Sequence, residues 1–212
     1  MLLAIDIGNT NIVVGGIEDD QIVFEARLAT DRIKTSDQYG GEIKNTLGLF
    51  NIPVEKIEDC IISSVVPPVF NAVKTGVVKV TKQEPMVVGP GVKTGLNIRM
   101  DNPAQVGSDR IVIAVAALAE YEPPLILLDL GTATTIEVVD RGNTYLGGCI
   151  IPGVRISLEA LTSRTAQLPG INLDKPKQVI GKNTVDCMRS GIMYGTAAML
   201  DGMLDRVEEE LG

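Results

Sequence analysis

Two stretches far apart in this chain repeat one another, and that repetition limits its fold more than any other feature. Met1 to Asn11 reads MLLAIDIGNTN, and Leu125 to Thr135 reads LILLDLGTATT. Each is a short apolar run ending in Asp, then a spacer, a glycine and small polar residues. Superimposing Asp6 on Asp129 also brings Gly8 onto Gly131 and Asn9 onto Thr132. Each copy is followed by an alternating stretch and a polar turn, Glu18-Asp19-Asp20 in the first and Asp140-Arg141-Gly142-Asn143 in the second. The chemistry of the first copy is specific. Gly8 lets the backbone approach a ligand closely, and Asn9, Thr10 and Asn11 offer hydrogen-bond donors and acceptors. A lone carboxylate such as Asp6 suits a hydrated divalent cation. The stretch therefore has the makings of a phosphate-and-magnesium turn between two strands.

A single D-x-G-x-T is ordinary hairpin chemistry, and two unrelated hairpins with Asp at the turn would satisfy it. Two copies, each opening one half of a chain and each followed by hairpin signals, resemble the actin-like ATPase superfamily of sugar kinases, heat-shock chaperones and acetate kinases. The resemblance implies an α/β chain with a duplicated ribonuclease H-like fold, its two domains facing a nucleotide cleft. Residues 1–117 would form the N-terminal half with the phosphate and substrate loops, and 118–212 a C-terminal half shortened at its end.

The bulk numbers narrow the function. The 212 residues suffice for one large or two small domains. With 19 basic against 27 acidic residues the net charge is −8, which argues against a non-specific nucleic-acid binder or an anionic membrane-surface protein. There is no histidine, so imidazole chemistry is excluded and base catalysis falls to Asp, Glu, Lys or Tyr. Cys60, Cys149 and Cys187 are far apart and form no C-x-x-C, which reads as buried reduced thiols in a cytosolic protein. No secretory signal is visible, since Asp6 breaks the apolar opening. The longest apolar run, Ile111 to Ala119, is too short to span a bilayer. The expectation is a soluble, cytoplasmic protein.

In chain order, a strand over Leu2 to Ile7 continues into a hairpin or three-stranded meander as far as Arg27. Tyr39, Ile43, Leu47 and Phe50 have helical spacing within Ser36 to Phe50. Glu58 to Val66 reads as a buried strand running into Pro67-Pro68, which presets a helix through Thr81. A strand is expected over Glu84 to Val88, closed by Gly89-Pro90-Gly91. Thr94 to Arg110 is polar and broken by Pro103 and Gly107, the pattern of a functional loop. A helix follows over Ile111 to Tyr121, then the repeated turn, a hairpin to Gly147-Gly148, and a helix over Val154 to Thr162. Gly181-Lys182-Asn183-Thr184 precedes a long final helix with Met188, Ile192, Gly195, Met199 and Met203 on one face.

Gly107-Ser108-Asp109-Arg110 stands directly before a helix, with Asp109 near the cap position. Taken alone, these four residues favour a plain N-cap worth ~1 kcal/mol. Arg110 in the first turn opposes the helix dipole, however, which points to another use for its charge. Six motifs then fall in order: DIGNTN at Asp6, SSVVP at Ser63, DNPAQVGSDR at Asp101, DLGTATT at Asp129, GGCIIPG at Gly147 and GKNT at Gly181. In order and spacing they resemble the type III pantothenate kinases, across essentially the whole chain.

That resemblance implies transfer of the ATP γ-phosphoryl group to the 4′-hydroxyl of pantothenate, the first step toward coenzyme A. It makes Asp109 the general base, and Gly107, Ser108, Asp109 and Arg110 the substrate clamp. It makes Asp6, Ile7, Gly8, Asn9, Thr10, Asn11, Ile12 and Val13 the phosphate loop, with Asp6 orienting magnesium through water, and it places Thr132 against ATP. Asp129 corresponds to a monovalent-cation site for potassium or ammonium. Thr184 corresponds to a threonine that contacts pantothenate across a homodimer interface, although alone it would read as a helix cap. No nucleic-acid or membrane partner is implied. Met100 stands where the family usually has a substrate-contacting tyrosine, and it can fill the same apolar space but cannot donate a hydroxyl. Family members usually continue beyond the position of Gly212, so a bare sheet edge is expected in the second half. Two other readings share these motifs: a non-catalytic accessory relative, and another actin-like small-molecule kinase or ATPase.

Overall fold

The structure is a computed structural model that describes residues 1–89 and 91–212. The expected Gly89-Pro90-Gly91 turn includes Pro90, which lies outside the described residues. The chain forms two units. The first comprises Met1–Glu122 with Asn143–Tyr145, and the second Pro123–Gly142 with Leu146–Gly212.

In the first unit β1 (Leu2–Ile7), β2 (Asn11–Glu18) and β3 (Gln21–Ala29) form the expected antiparallel meander. The β2–β3 turn puts Asp19 and Asp20 at φ 50 and 58, the left-handed pair that a two-residue hairpin needs. β4 (Asp59–Ser64) and then β5 (Met86–Val87) add in parallel, giving the order β3-β2-β1-β4-β5. β5 is shorter than the expected strand.

α1 (Ser36–Leu49) and α2 (Pro67–Thr81) supply the parallel crossovers. α1 opens with a capping box in which Thr35 and Gln38 satisfy each other's backbone amides, and α2 opens on the proline pair. One sheet face is apolar throughout. Leu3, Ile5, Ile7, Ile12, Val14, Cys60 and Ile62 pack with Tyr39, Ile43 and Leu47 of α1 and Val69, Val73 and Val77 of α2. Alternation sends Ala4, Asp6, Val13, Gly15 and Ser63 to the opposite face, where they line a cavity of about 260 Å³ together with Val112. α1 and α2 cross where two glycines meet: a Cβ on Gly76 would sit 2.8 Å from Gly40 N and 2.8 Å from Ser36 O.

β6 (Asn97–Ile98) pairs in parallel with Thr144 and Tyr145, the first residues of a later strand and the ones that belong to the first unit. α3 (Ser108–Glu120) starts one turn earlier than expected, at Ser108 instead of Ile111. In the second unit β7 (Leu125–Leu130) pairs antiparallel with β8 (Ala133–Val139), and β9 (Thr144–Pro152) lies beside β8. α4 (Val154–Arg164) packs against α5 (Thr184–Leu211) through Leu158, Met188 and Ile192. Only the first turns of the methionine-bearing face of α5 are buried. Among the described residues no helix is long and apolar enough to cross a membrane.

Gly76→Ala forces α1 and α2 apart and lowers the unfolding free energy by about 1–3 kcal/mol in urea titrations. Gly41→Ala, on the open side of α1, raises it by up to about 1 kcal/mol through helix propensity. Burial raises the Cys60 thiol pKa, opposed by its hydrogen bond with Thr81. The unfolded thiol therefore ionises first, and this contribution to stability is fully present below the ordinary thiol range and is lost as pH rises from there through the raised folded value. In maleimide labelling of the folded protein, exposed Cys187 reacts and Cys60 reacts only on unfolding.

Candidate active site

The first turn sits at the end of β1. Gly8 N donates to Asn11 O at 3.0 Å, closing a three-residue loop between β1 and β2. Thr30, just past β3, secures it: its hydroxyl donates to Gly8 O at 2.7 Å and its N–H to Thr10 O at 3.0 Å. Asn9, Thr10 and Asn11 are exposed at the tip, while Ile7 and Ile12 are buried and anchor the loop in the core. Asp6 is half-buried on the open sheet face, in register with Val13 on one side and Ser63 on the other.

β4 carries this geometry to α3. The Ser108 hydroxyl donates to Ser64 O at 3.0 Å and accepts from Ser64 N and from Ser63 Oγ, each at 3.1 Å. One donor and two acceptor sites are all that a hydroxyl has, so Ser108 Oγ is fully committed. The expected cap is therefore corrected. The N-cap is Gly107, with no side-chain cap, and Asp109 is the second helical residue. The Asp109 carboxylate instead accepts Arg110 N at 2.8 Å, and a Cβ on Gly107 would collide with it. Gly107 has φ −58, so backbone freedom does not call for glycine here, and a side chain would meet only the movable end of Asp109.

The Arg110 guanidinium lies 5.7 Å from the centroid of the fully buried Tyr145 ring, a cation–π contact that absorbs the charge opposing the helix dipole. Met100 is half-buried just beyond β6. Beside Gly107 and Ser108 opens a cavity of about 770 Å³, walled by Val65, Leu96, Ile98 and Val106, with Lys93 at its edge. Its walls come from three segments, around Val65, from Val88 to Ile98 and from Pro103 to Ile111, so much of the loop expected over Thr94 to Arg110 lines it.

The second turn closes more tightly. Gly131 N donates to Ala133 O at 3.0 Å, leaving only Gly131 and Thr132 between β7 and β8. The two copies thus match through Gly131 and Thr132 and then differ by one residue. Asp129, half-buried, faces Thr135 across the ladder, and Thr135 Oγ1 is buried with no hydrogen-bond partner among the described residues. Gly153 lies flat on this turn: its N–H donates to Thr132 O at 3.2 Å, and a Cβ would overlap the carbonyl oxygens of Gly131 and Thr132. In the sequence Pro152-Gly153 reads only as turn chemistry.

At the start of α5 the cap is Asn183, whose side chain accepts from Asp186 N, and Thr184 is the first helical residue, exposed. The cap role that Thr184 would otherwise have served is thus already filled.

A sequence profile of the family described as type III pantothenate kinase matches residues 2–206. The chain is 49% identical over 212 residues to a type III pantothenate kinase of Exiguobacterium sp., covering all of this chain and 84% of that protein. It is 47% identical to another from Brevibacillus brevis, covering 83% of it. Among solved structures it is similar to a conserved Campylobacter jejuni protein described as a Baf family transcriptional activator. That match has TM-score 0.56 and 18% identity, and spans 95% of this chain and 78% of the other, a likeness of fold alone.

The packing of Gly153 sets a test of the second turn. Gly153→Ala displaces Thr132 and costs about 1–3 kcal/mol of stability in urea titrations. Gly131→Ala meets only ordinary contacts, at 3.5 Å or more, and stays within about 0.5 kcal/mol.

Proposed function

The chain belongs to the type III pantothenate kinase family, and from that premise we propose that Asp109 is the base of its reaction. The protein is an ATP-dependent pantothenate kinase acting in coenzyme A biosynthesis. In the proposed step the pantothenate 4′-oxygen attacks the γ-phosphorus, its proton passes to the Asp109 carboxylate, and the bond to ADP breaks in line. The observation that carries this reading is the placement of Asp109. It stands in the first turn of α3, outside the N-cap position, with no side chain on Gly107 to crowd its carboxylate and with Ser108 clasping the turn to β4.

Gly107, Arg110 and Met100 complete the pantothenate site in this reading. Arg110 pairs with the pantothenate carboxylate or the transferring phosphoryl group, and Met100 supplies apolar contact. Ser108 contributes through its main chain, because its hydroxyl is already committed. Thr184, exposed at the start of α5, contacts the pantothenate of a partner subunit in a homodimer. The loop from Asp6 to Val13 and Thr132 hold ATP. Asp6 fits magnesium, since it is a single half-buried carboxylate at a polar turn and magnesium keeps most of its waters. When bound, magnesium neutralises charge on the β- and γ-phosphates. Asp129 fits potassium or ammonium. The Thr135 oxygen opposite it, without a hydrogen-bond partner among the described residues, is a neutral second ligand of the kind such an ion takes beside a carboxylate, and the ion would add local positive charge. The protein works in the cytoplasm.

Asp109→Asn lowers kcat by about 10²–10⁴-fold with an unchanged circular dichroism spectrum, read as equal release of ADP and phosphopantothenate. Near-wild-type turnover would remove Asp109 from the reaction. Asp129→Asn abolishes stimulation by potassium or ammonium in the same assay, and a retained salt response would place the cation elsewhere.

A further inference from the structure

Ser63 is 6% exposed, and the reaction as described gives its hydroxyl no part. It lies between two groups that have one. Ser63 is the in-register neighbour of Asp6 on adjacent parallel strands, so their Cα atoms are about 4.8 Å apart and both side chains face the same way. On that face they line the same 260 Å³ cavity. From the other side the Ser63 hydroxyl donates to Ser108 Oγ at 3.1 Å, and Ser108 precedes Asp109 directly. All of these residues belong to the first unit.

We propose that Ser63 is a positioning residue for the phosphoryl transfer. Through the Ser108 hydroxyl it fixes the first turn of α3, and with it the Asp109 carboxylate, against the strand that carries Asp6. Among the described residues this helix start has no side-chain cap hydrogen bond. Helix termini leave several amides unsatisfied, and a capping side chain is the usual way to hold the entry angle. α3 has no such cap, and Gly107 contributes no side chain. The three hydrogen bonds of Ser108 take over that task, two to the Ser64 main chain and one from Ser63. The Ser63 bond is the one whose partner is also a side chain, so Ser63→Ala removes it alone, whereas Ser108→Ala removes all three. Without the Ser63 bond Ser108 Oγ keeps both main-chain partners but loses the bond that sets its lateral position. A displacement of about 1 Å at a reacting group costs on the order of 10²-fold in rate while leaving ligand contacts largely intact.

The inference rests on the reading of Asp109 as the base, and the test separates the two. Ser63→Ala, Ser108→Ala, the double variant, Ser63→Thr and Asp109→Asn are compared by steady-state kinetics and thermal melting. Ser63→Ala and Ser108→Ala are expected to lower kcat roughly 10–100-fold, with KM for ATP and pantothenate within about threefold of wild type. The double variant is expected to be no slower than the slower single one, because both act through one link. Ser63→Thr restores most of kcat, since its hydroxyl can still donate and its methyl group has the adjoining cavity to occupy. Wild-type kcat in Ser63→Ala beside an inactive Asp109→Asn overturns this inference and leaves the base assignment standing. Loss of kcat with a matching fall in melting temperature and no rescue by threonine shows a merely structural serine and overturns it also. An active Asp109→Asn removes the base assignment and this inference together.

Discussion

The parallel ladder between β1 and β4 is the constraint on which the rest of the first unit depends. Its register is fixed by burial: Leu3, Ile5, Ile7, Cys60 and Ile62 all point into the core against α1 and α2, none more than 3% exposed. Burying each large aliphatic side chain contributes roughly 1.5–3 kcal/mol. A slip of one residue would turn that whole set outward and bury Asp6 and Ser63 in its place. The apolar face thus determines where the polar one falls. Asp6, Ser63 and, through Ser108, the first turn of α3 occupy their positions because the other side of the same strands packs well.

The second unit reuses the opening of the first with a different closure. Both turns follow an Asp and a glycine, and both glycines donate to a carbonyl across the loop, three residues on in the first and two residues on in the second. The longer first loop exposes three polar side chains at its tip. The shorter second loop is backed by Gly153, whose missing side chain lets the chain pass flat beneath Thr132. The two copies thus share a strand, a carboxylate and a glycine, and differ in loop length and in the residue that backs the turn.

Local pattern carried far in this sequence. The strand–Asp–Gly repeat, the helical spacing of Tyr39, Ile43 and Leu47, and the proline pair at α2 are short-range signals, and each element forms where its residues direct. What was not legible depends on partners distant in the chain. Asp109 resembles a cap by sequence preference, but Ser108 is drawn to β4 and the helix begins there with Gly107 as its cap, so tertiary hydrogen bonding overrides the local preference. The role of Ser63 exists only once β4 lies beside β1. The fit of Gly153 under the second turn, and the space beside Gly107, likewise need the folded chain.

The account stands or falls on which carboxylate receives the alcohol proton. The most direct measurement is a crystal structure with a non-hydrolysable ATP analogue, magnesium and pantothenate. It should show the 4′-hydroxyl within about 2.6–3.2 Å of the Asp109 carboxylate, with the γ-phosphate beside the Asp6 turn. A 4′-hydroxyl facing a different acidic side chain, with Asp109 still folded against its own helix, would contradict it.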